Sequence, residues 1–213
     1  MKRTKVIHAL NAEQAQDSIQ VKGWIRTKRD SKGFSFLELN DGSCLKNLQI
    51  IVDHQTPGFE QIRDLGTGSS VAVTGKLVES PGKGQQWEVQ AAGVELLGRA
   101  DLETYPLQKK RHSDEFLRTI AQLRPRTNKY GALNRIRSEL AFAIHDFFHD
   151  RGFTYVHSPI ITASDCEGAG ELFQVTALDL DSQPTPAERR ENDFFGKDAY
   201  LTVSGQLTAE VMA

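Results

Sequence analysis

The chain has 213 residues, of which 38% are hydrophobic and 25% are charged, and its formal net charge at pH 7 is -2. This composition is typical of a globular protein, and no apolar run approaches the roughly 20 residues of a membrane-spanning helix. The basic start, Met1 to Lys5, is followed by no long apolar segment, which argues against a secretory signal. Cys44 and Cys166 have neither Cys-x-x-Cys spacing nor a nearby pair of histidines, which argues against zinc and disulfide bridges. We therefore expect a cytoplasmic protein with no membrane partner and no metal site.

The charged residues are unevenly distributed along the chain. Residues 101–137 contain nine Lys and Arg against four Asp and Glu, whereas residues 138–213 contain four against thirteen. Solubility alone does not require such a contrast. We expect a polyanion to contact the middle of the chain and not its end.

The first hundred residues show a pattern of short strands. Apolar runs separated by turn residues predict five strands and one short helix, in the order 19–26, 33–39, 48–52, helix 57–65, 71–78 and 86–91. Three strands, a small helix and two further strands are the order of an OB-fold barrel. Residues 1–100 are therefore predicted to form a five-stranded OB-fold domain.

One stretch of the predicted barrel combines basic and aromatic side chains. Arg26, Lys28 and Arg29 precede Phe34 and Phe36. OB folds bind single-stranded nucleic acid by stacking bases on aromatic rings while cations follow the backbone. Residues two apart in a strand share a face, so Phe34 and Phe36 are expected to lie together, either in the core or on a nucleic-acid-binding surface.

Residues 101–128 are predicted to form a basic connector between two domains. This segment contains the run Lys109-Lys110-Arg111. Such a run is either a solvated surface or, beside a nucleic-acid-binding barrel, a site of phosphate contact.

A long amphipathic helix follows the connector. Its apolar residues fall three and four positions apart between Leu133 and Phe148, so they share one helical face, and that face needs a partner. Thr127 and Asn128 can cap the start of the helix, and Gly152 stands where a left-handed C-cap residue belongs.

The last sixty residues predict short strands joined by polar loops. The predicted elements are strands at 153–156, 175–178 and 200–204, an exposed loop at 179–193, and the start of a helix at 206–213. The segment from Thr162 to Phe173 holds three carboxylates and two glycines, which is typical of a binding loop.

Three parts of this C-terminal segment resemble a known family. The long helix, the strand after it and Pro159 resemble the first signature motif of class II aminoacyl-tRNA synthetases. The loop Ser-Asp-Cys-Glu-Gly-Ala-Gly-Glu-Leu-Phe at 164–173 is similar to the asparaginyl-tRNA synthetase family, as are Phe-Phe-Gly-Lys at 194–197 and Leu-Thr-Val-Ser-Gly-Gln-Leu at 201–207. The resemblance implies an α+β, multidomain protein. An OB-fold anticodon-binding domain at 1–100 and a basic hinge at 101–128 would precede the start of a class II antiparallel-sheet catalytic domain at 129–213.

The resemblance also implies the activity and the residues that serve it. The activity would be that of an asparagine–tRNA ligase, which uses ATP with Mg²⁺ to activate asparagine and transfers it to tRNA(Asn). The implied amino-acid-binding residues are Glu167, Ser204, Gln206 and Glu210. The implied anticodon-binding residues are Arg29, Phe36, Gln49 and Glu88, and the tRNA backbone would meet Arg26, Lys28, Lys109, Lys110 and Arg111. A homodimer through the first motif would use Ile144, Phe148 and Pro159.

The choice between asparagine and aspartate follows from one helix position. In the aspartyl relatives a lysine three residues after the matching glutamine pairs with the substrate carboxylate, and here that position is Ala209. Without that lysine a buried aspartate carboxylate would lack its partner, whereas Glu210 can accept from the amide of asparagine and repel aspartate. Glu210 can also be an ordinary surface residue of the helix.

Two later motifs that hold ATP and magnesium in the family, a Phe-Arg-x-Glu stretch and a Gly-rich stretch ending in Arg, do not occur in this sequence. We therefore assign no catalytic residue, and we expect an N-terminal part of a longer enzyme that cannot make the adenylate by itself. The alternatives are a non-catalytic RNA-binding relative, an unrelated OB-fold binder of single strands, and a ligase with aspartate-like specificity. DNA is not an expected partner.

Overall fold

The computed structural model describes residues 2–164, 172–179, 181 and 185–213, without the side chains of residues 189 and 190. The chain divides into two compact units, Met1–Leu140 and Ala141–Ala213. The first unit contains the helix α1 (Val6–Leu10), the strands β1 (Gln16–Ser31), β2 (Phe34–Asn40) and β3 (Leu48–Asp53), the helix α2 (Phe59–Ile62), the strands β4 (Ser70–Glu79) and β5 (Trp87–Gly98), and the helix α3 (Asp114–Thr119).

The five strands of the first unit form a closed barrel in the order β1-β2-β3-β5-β4. Strands β3 and β5 are parallel, and every other pair of neighbours is antiparallel. The predicted OB-fold order of three strands, a small helix and two strands is confirmed. Strand β1 is longer than predicted because its first half pairs with β4 and its second half with β2, so it has a partner over its whole length.

The barrel interior is filled by the inward-facing residues of every strand. Leu37 and Leu39 of β2 and Ile50 of β3 are fully buried, and polar or larger side chains between them point outward, as the pleat requires. Trp87 is the largest fully buried side chain, and its indole Nε1 donates to the carbonyl oxygen of Ala12 at 3.0 Å. The alternation read from the sequence therefore selects the core correctly.

The connector is folded onto the barrel within the first unit. Leu107 and Leu117 are buried. Arg26 of β1 donates to the carbonyl oxygen of Arg126 at 2.5 Å, and Arg135 donates to the carbonyl oxygen of Gly42 at 2.6 Å. The connector therefore makes a fixed contact with strand β1, and the start of the helix that follows it makes one with the loop after β2.

The long helix α4 (Asn128–His149) begins and ends as predicted. The hydroxyl of Thr127 accepts from the backbone N–H of Tyr130 at 3.4 Å, which is the expected N-terminal cap. Gly152 has φ of 83°, the left-handed conformation that a helix C-cap favours.

The second unit contains a three-stranded antiparallel sheet. Its strands β6 (Ile161–Thr162), β7 (Gln174–Val175) and β8 (Ala199–Leu201) lie in the order β6-β8-β7, and the helices α5 (Pro186–Asn192) and α6 (Gln206–Met212) belong to the same unit. The helix predicted from residue 206 is confirmed. The antiparallel sheet agrees with the predicted start of a class II catalytic domain.

Three local predictions in this unit are wrong. Residues 153–156 form no strand, because no strand of the described chain lies beside them, and Phe153 and Tyr155 remain exposed. Strand β7 covers only the start of the predicted segment. The predicted loop at 179–193 contains helix α5, which begins at a capping box: Thr185 Oγ1 accepts from the N–H of Glu188 at 3.3 Å, and the Glu188 carboxylate accepts from the N–H of Thr185 at 2.8 Å.

Candidate nucleic-acid interface

Strand register brings the four predicted anticodon-binding residues to one outer face of the barrel. Arg29 of β1 pairs with Phe36 of β2, and Gln49 of β3 pairs with Glu88 of β5. Strands β2 and β3 are neighbours, so the two pairs lie side by side. Leu37, next to Phe36 along the strand, points into the core and leaves Phe36 on the outside.

The two phenylalanines of β2 lie on the surface and not in the core. Phe34 is 43% exposed and Phe36 is half-buried. The guanidinium carbon of Arg29 lies 5.1 Å from the centroid of the Phe36 ring, a distance at which cation and ring attract each other. A flat aromatic surface beside a fixed positive charge can accept a stacked base and its negatively charged backbone.

Glu88 is a buried carboxylate that neutral donors satisfy. The residue is 2% exposed, and its Oε2 accepts from Ser80 Oγ at 2.7 Å, from Gln49 Nε2 at 3.1 Å and from Gln85 Nε2 at 3.3 Å. Hydrogen bonds of this kind are what makes a buried charge tolerable. Gln49 is therefore held by Glu88 at the surface of the sheet.

Two of the cations predicted to meet the tRNA backbone already have partners within the protein. The side chain of Lys28 is only 8% exposed, and its ammonium donates to Asp30 at 3.0 Å and to the carbonyl oxygen of Arg63. A hydrogen bond from Ser35 lowers the pKa of Asp30, and the bond from Lys28 acts in the same direction. Arg26 is held by the connector, as described above. Lys28 therefore holds the end of β1 in place, and Arg26 holds its middle.

Lys109, Lys110 and Arg111 are exposed, and within the described residues their side chains make no hydrogen bond or ion pair. They line a cleft of about 1100 Å³ in the first unit, which is also lined by barrel residues and by the start of α4. The basic side chains along this cleft are Arg26, Lys109, Lys110, Arg111, Arg126, Lys129 and Arg135, and its carboxylates are Glu38 and Asp41. The excess of positive charge suits a polyanion.

Asp41 is not free to offset these cations. Burial raises the pKa of its carboxyl group, but hydrogen bonds from Ser43, Arg3 and the N–H of Val6 outweigh burial and lower the pKa to about 2. The carboxylate oxygen lies 2.7 Å from the Arg3 guanidinium. Asp41 therefore ties the start of α1 to the loop after β2.

Three of the four predicted amino-acid-binding residues lie together in the second unit. Ser204 Oγ accepts from the N–H of Gln206 at 3.0 Å, and Gln206 Nε2 donates to Glu210 Oε1 at 2.8 Å, one helical turn later. Glu167, the fourth, lies outside the described residues. The three residues therefore form a linked polar group at the start of α6, in which Ser204 bonds to the backbone of Gln206 and Glu210 to its side chain.

The apolar face of α4 is exposed, as are the residues predicted for a dimer. Ile144, Phe148 and Pro159 are all exposed in this chain. The ring of Phe148 meets that of Phe153 edge-on at 5.4 Å, which places Phe153 against the end of α4. Side chains of this size at a helix surface indicate an interaction site.

Comparison with known proteins supports the fold of each unit. The family model described as an OB-fold nucleic acid binding domain matches residues 19–97, and the model for tRNA synthetases class II (D, K and N) matches residues 113–213. The asparagine–tRNA ligase of Nitratidesulfovibrio vulgaris (strain DP4) is 64% identical over 215 residues, which cover 100% of this chain and 47% of the relative. That of a Synechocystis species is 57% identical over 216 residues, covering 100% of this chain and 47% of the relative.

The chain belongs to the asparaginyl-tRNA synthetase family. It spans about half the length of the curated relatives that it matches. The fold is also that of the asparaginyl-tRNA synthetase from Pyrococcus horikoshii complexed with asparaginyl-adenylate, with a TM-score of 0.78 at 21% identity over 100% of this chain and 45% of that chain. The enzyme from Entamoeba histolytica gives a TM-score of 0.73 at 22% identity over 98% of this chain and 44% of that chain.

For this member of the asparaginyl-tRNA synthetase family, reasoning from the sequence missed several residues around the predicted sites. Ser80 and Gln85 hold Glu88, and Arg126, Lys129 and Arg135 line the basic cleft. The Ser-Pro-Gly turn after β4 was the available signal for the first pair, since it places polar side chains beside the start of β5. No comparable local signal exists for the cleft, because it forms from segments about a hundred residues apart.

The described residues contain neither a candidate metal centre nor a membrane-spanning helix. No group of three or more His, Cys, Asp or Glu residues is arranged to hold a metal ion there. No helix in the same part of the chain has the length and apolar character needed to cross a membrane.

Proposed function

We propose that this chain serves a cytoplasmic asparagine–tRNA ligase, in which it supplies the anticodon-binding barrel and the first part of the catalytic domain. Its substrates would be asparagine, ATP and tRNA(Asn). The observation that carries the proposal is the meeting of Arg29, Phe36, Gln49 and Glu88 on one outer face of the barrel. The division of labour would follow residues 1–100 for the anticodon, 101–128 for the hinge, and 129–213 for the amino acid and the dimer.

The barrel face would bind the anticodon by stacking and by hydrogen bonding. The Phe36 ring, held beside the Arg29 guanidinium, would carry one unstacked base. Gln49 would contact the polar edge of a base, since a side-chain amide offers both a donor and an acceptor, and the buried Glu88 would hold the Gln49 amide in place. Single-stranded loops are the parts of RNA that proteins read in this way.

The basic cleft would follow the RNA backbone next to the anticodon. Lys109, Lys110 and Arg111 are the cations best placed to exchange water and counterions for phosphates, because they are exposed and unpaired within the described chain. Arg26 and Lys28, whose charged groups have partners in the protein, would contribute mainly through the shape of β1 and the local positive potential.

The polar group at the start of α6 would bind asparagine. The bond from Gln206 to Glu210 supports a shared role, because Glu210 would orient Gln206 in the absence of substrate and accept from the asparagine amide in its presence. The negative charge of Glu210 would disfavour aspartate. Ser204 would complete the site, and Glu167 would accept from the α-ammonium group.

We assign no residue of this chain to ATP or to Mg²⁺. Among the described residues, no group of three or more His, Cys, Asp or Glu side chains could hold a metal ion. The homodimer would form through the exposed apolar face of α4, with Ile144, Phe148 and Pro159 at the contact. Fully burying an exposed Ile or Phe side chain is worth about 1.5–3 kcal/mol, and roughly half of that remains to be gained at Ile144 and Phe148, which are 58% and 47% exposed.

Binding of RNA by the purified chain tests the proposal. A labelled stem-loop with the asparagine anticodon GUU would be titrated with the 213-residue chain, and fluorescence anisotropy would give its Kd. A matched stem-loop with all three anticodon bases replaced is the control. The proposal predicts tighter binding of the GUU loop. Equal affinity for the two loops would refute a specific anticodon site.

A further inference from the structure

The turn between β4 and β5 carries two polar side chains that the proposed function leaves without a role. Ser80 and Gln85 flank this turn, are half-buried, and both bond to the same carboxylate oxygen of Glu88. Gln85 Nε2 also donates to Ser80 Oγ at 2.7 Å, and the N–H of Gly82 donates to the same hydroxyl at 3.2 Å. The turn, the carboxylate and Gln49 are thus one connected network.

The direction of every bond in this network follows from the groups themselves. A carboxylate only accepts, so the amide group of Gln49 must face Glu88 with its nitrogen and not with its oxygen. The Ser80 hydroxyl gives its one hydrogen to Glu88 and accepts from Gln85 and from Gly82. Both hydrogens of the Gln85 amide are also used, on Ser80 and on Glu88. No group in the chain from Gln85 to Gln49 can reverse without breaking a bond.

We propose that Ser80 and Gln85 are positioning residues that fix the orientation of the Gln49 amide, so that Gln49 presents its carbonyl oxygen to an RNA base. This inference rests on the proposed function. The base selected in this way carries an N–H donor at N3, as uracil does, whereas cytosine has an acceptor nitrogen at that position. Without Ser80 and Gln85 the Glu88 carboxylate would lose two of its three donors and turn toward water, and Gln49 would be free to rotate by 180° and present its amino group instead.

The test compares base discrimination and not affinity alone. Two stem-loops would be used, one with the anticodon GUU and one with cytosine in place of its middle uracil. The quantity measured for each variant is the Kd of the cytosine loop divided by the Kd of the GUU loop. We expect Ser80→Ala and Gln85→Ala to lower this ratio by about tenfold, because a misdirected hydrogen bond loses most of its selectivity. Ser80→Thr keeps the hydroxyl and should keep the ratio.

Gln86→Ala is the matched control, since Gln86 lies on the same turn, is exposed, and makes no side-chain hydrogen bond within the described residues. It should leave the ratio unchanged. A second measurement does not depend on RNA: the side-chain amide resonances of Gln49 in a ¹⁵N-labelled sample should shift in Ser80→Ala and in Gln85→Ala, but not in Gln86→Ala. Thermal unfolding of each variant would establish that the barrel remains folded.

The outcomes separate the positioning role of Ser80 and Gln85 from the proposed function. An unchanged ratio and unchanged Gln49 resonances in both alanine variants would overturn the positioning role and leave the proposed function standing. A Kd ratio lowered as much in Ser80→Thr as in Ser80→Ala would also overturn the positioning role, because the Ser80 hydroxyl would then not determine base discrimination. Failure of the wild-type chain to bind either stem-loop would refute the proposed function and this inference with it.

Discussion

Replacing Phe36 with alanine isolates the stacking contribution to RNA binding. The ring lies outside the core, with the inward-facing Ser35 and Leu37 on either side along the strand, so its removal leaves the barrel interior intact. Cross-strand pairs on a sheet surface are worth roughly 0.2–1 kcal/mol, and we expect the free energy of unfolding to fall by no more than that. Loss of one stacked base costs about 1–3 kcal/mol of binding. The Kd for the GUU stem-loop should therefore rise roughly 5- to 150-fold.

Fluorescence anisotropy of the labelled stem-loop measures this change, and urea unfolding of the same samples measures stability. Phe34→Ala is the matched control, because Phe34 lies on the same face two residues away but lacks the contact with Arg29. We expect a clearly smaller effect for Phe34→Ala. Equal affinity of wild type and Phe36→Ala would show that no base stacks on this ring, and the placement of the anticodon on this face would then be wrong.

Three further predictions concern the cleft, the amino-acid site and the fold. Replacing Lys109, Lys110 and Arg111 together by alanine should lower the salt dependence of RNA binding. The slope of log K against log salt concentration should become smaller by about 2, because each single-strand phosphate contact contributes about 0.7. An unchanged slope would exclude phosphate contacts by these three side chains. Glu210→Lys in the complete ligase should abolish asparagine-dependent pyrophosphate exchange, and unaltered discrimination against aspartate would contradict the role of Glu210. Because the pKa of Asp41 lies at about 2 in the folded chain, its carboxylate should contribute about 2 kcal/mol to stability at neutral pH, a contribution lost as the pH falls from about 4 to 2. Asp41→Asn should remove that part of the acid dependence in urea unfolding at different pH values, and an identical pH profile would refute it.

The barrel was predictable from the sequence because its determinants are local. Alternation of apolar and polar residues selects the inward face of each strand, and turn residues mark the ends. The surface position of Phe34 and Phe36 was not settled by the same pattern, since a period of two defines two faces without saying which is inside. The structure decides it through the register of β2, in which Ser35 and Leu37 are buried.

The errors in the second unit have two physical origins. A strand needs a neighbour, and the β-forming residues 153–156 have none within the described chain, so their composition could not decide their structure. Helix α5 has a local signal in the sequence, because Thr185-Pro186-Ala187-Glu188 is a capping box with proline at the first helical position. The prolines and polar residues of this segment favoured a loop instead.

The network around Glu88 and the basic cleft depend on contacts between distant parts of the chain. Gln49 and Glu88 are brought together by the parallel pairing of β3 and β5, and Arg135 reaches Gly42 across 93 positions of sequence. No periodicity in the sequence reports such contacts. Resemblance to a family supplied Gln49 and Glu88 as candidates, but the donors that orient them become visible only in three dimensions.

The central claim is that the asparagine anticodon binds to the outer face formed by β1, β2, β3 and β5. Titration of a ¹⁵N-labelled chain with the GUU stem-loop, followed by amide chemical shifts, tests it most directly. We expect the largest shift changes at Arg29, Phe36, Gln49 and Glu88 and their strand neighbours, with smaller changes at Lys109 to Arg111. Shift changes confined to another face of the barrel, or to residues 141–213, would contradict it.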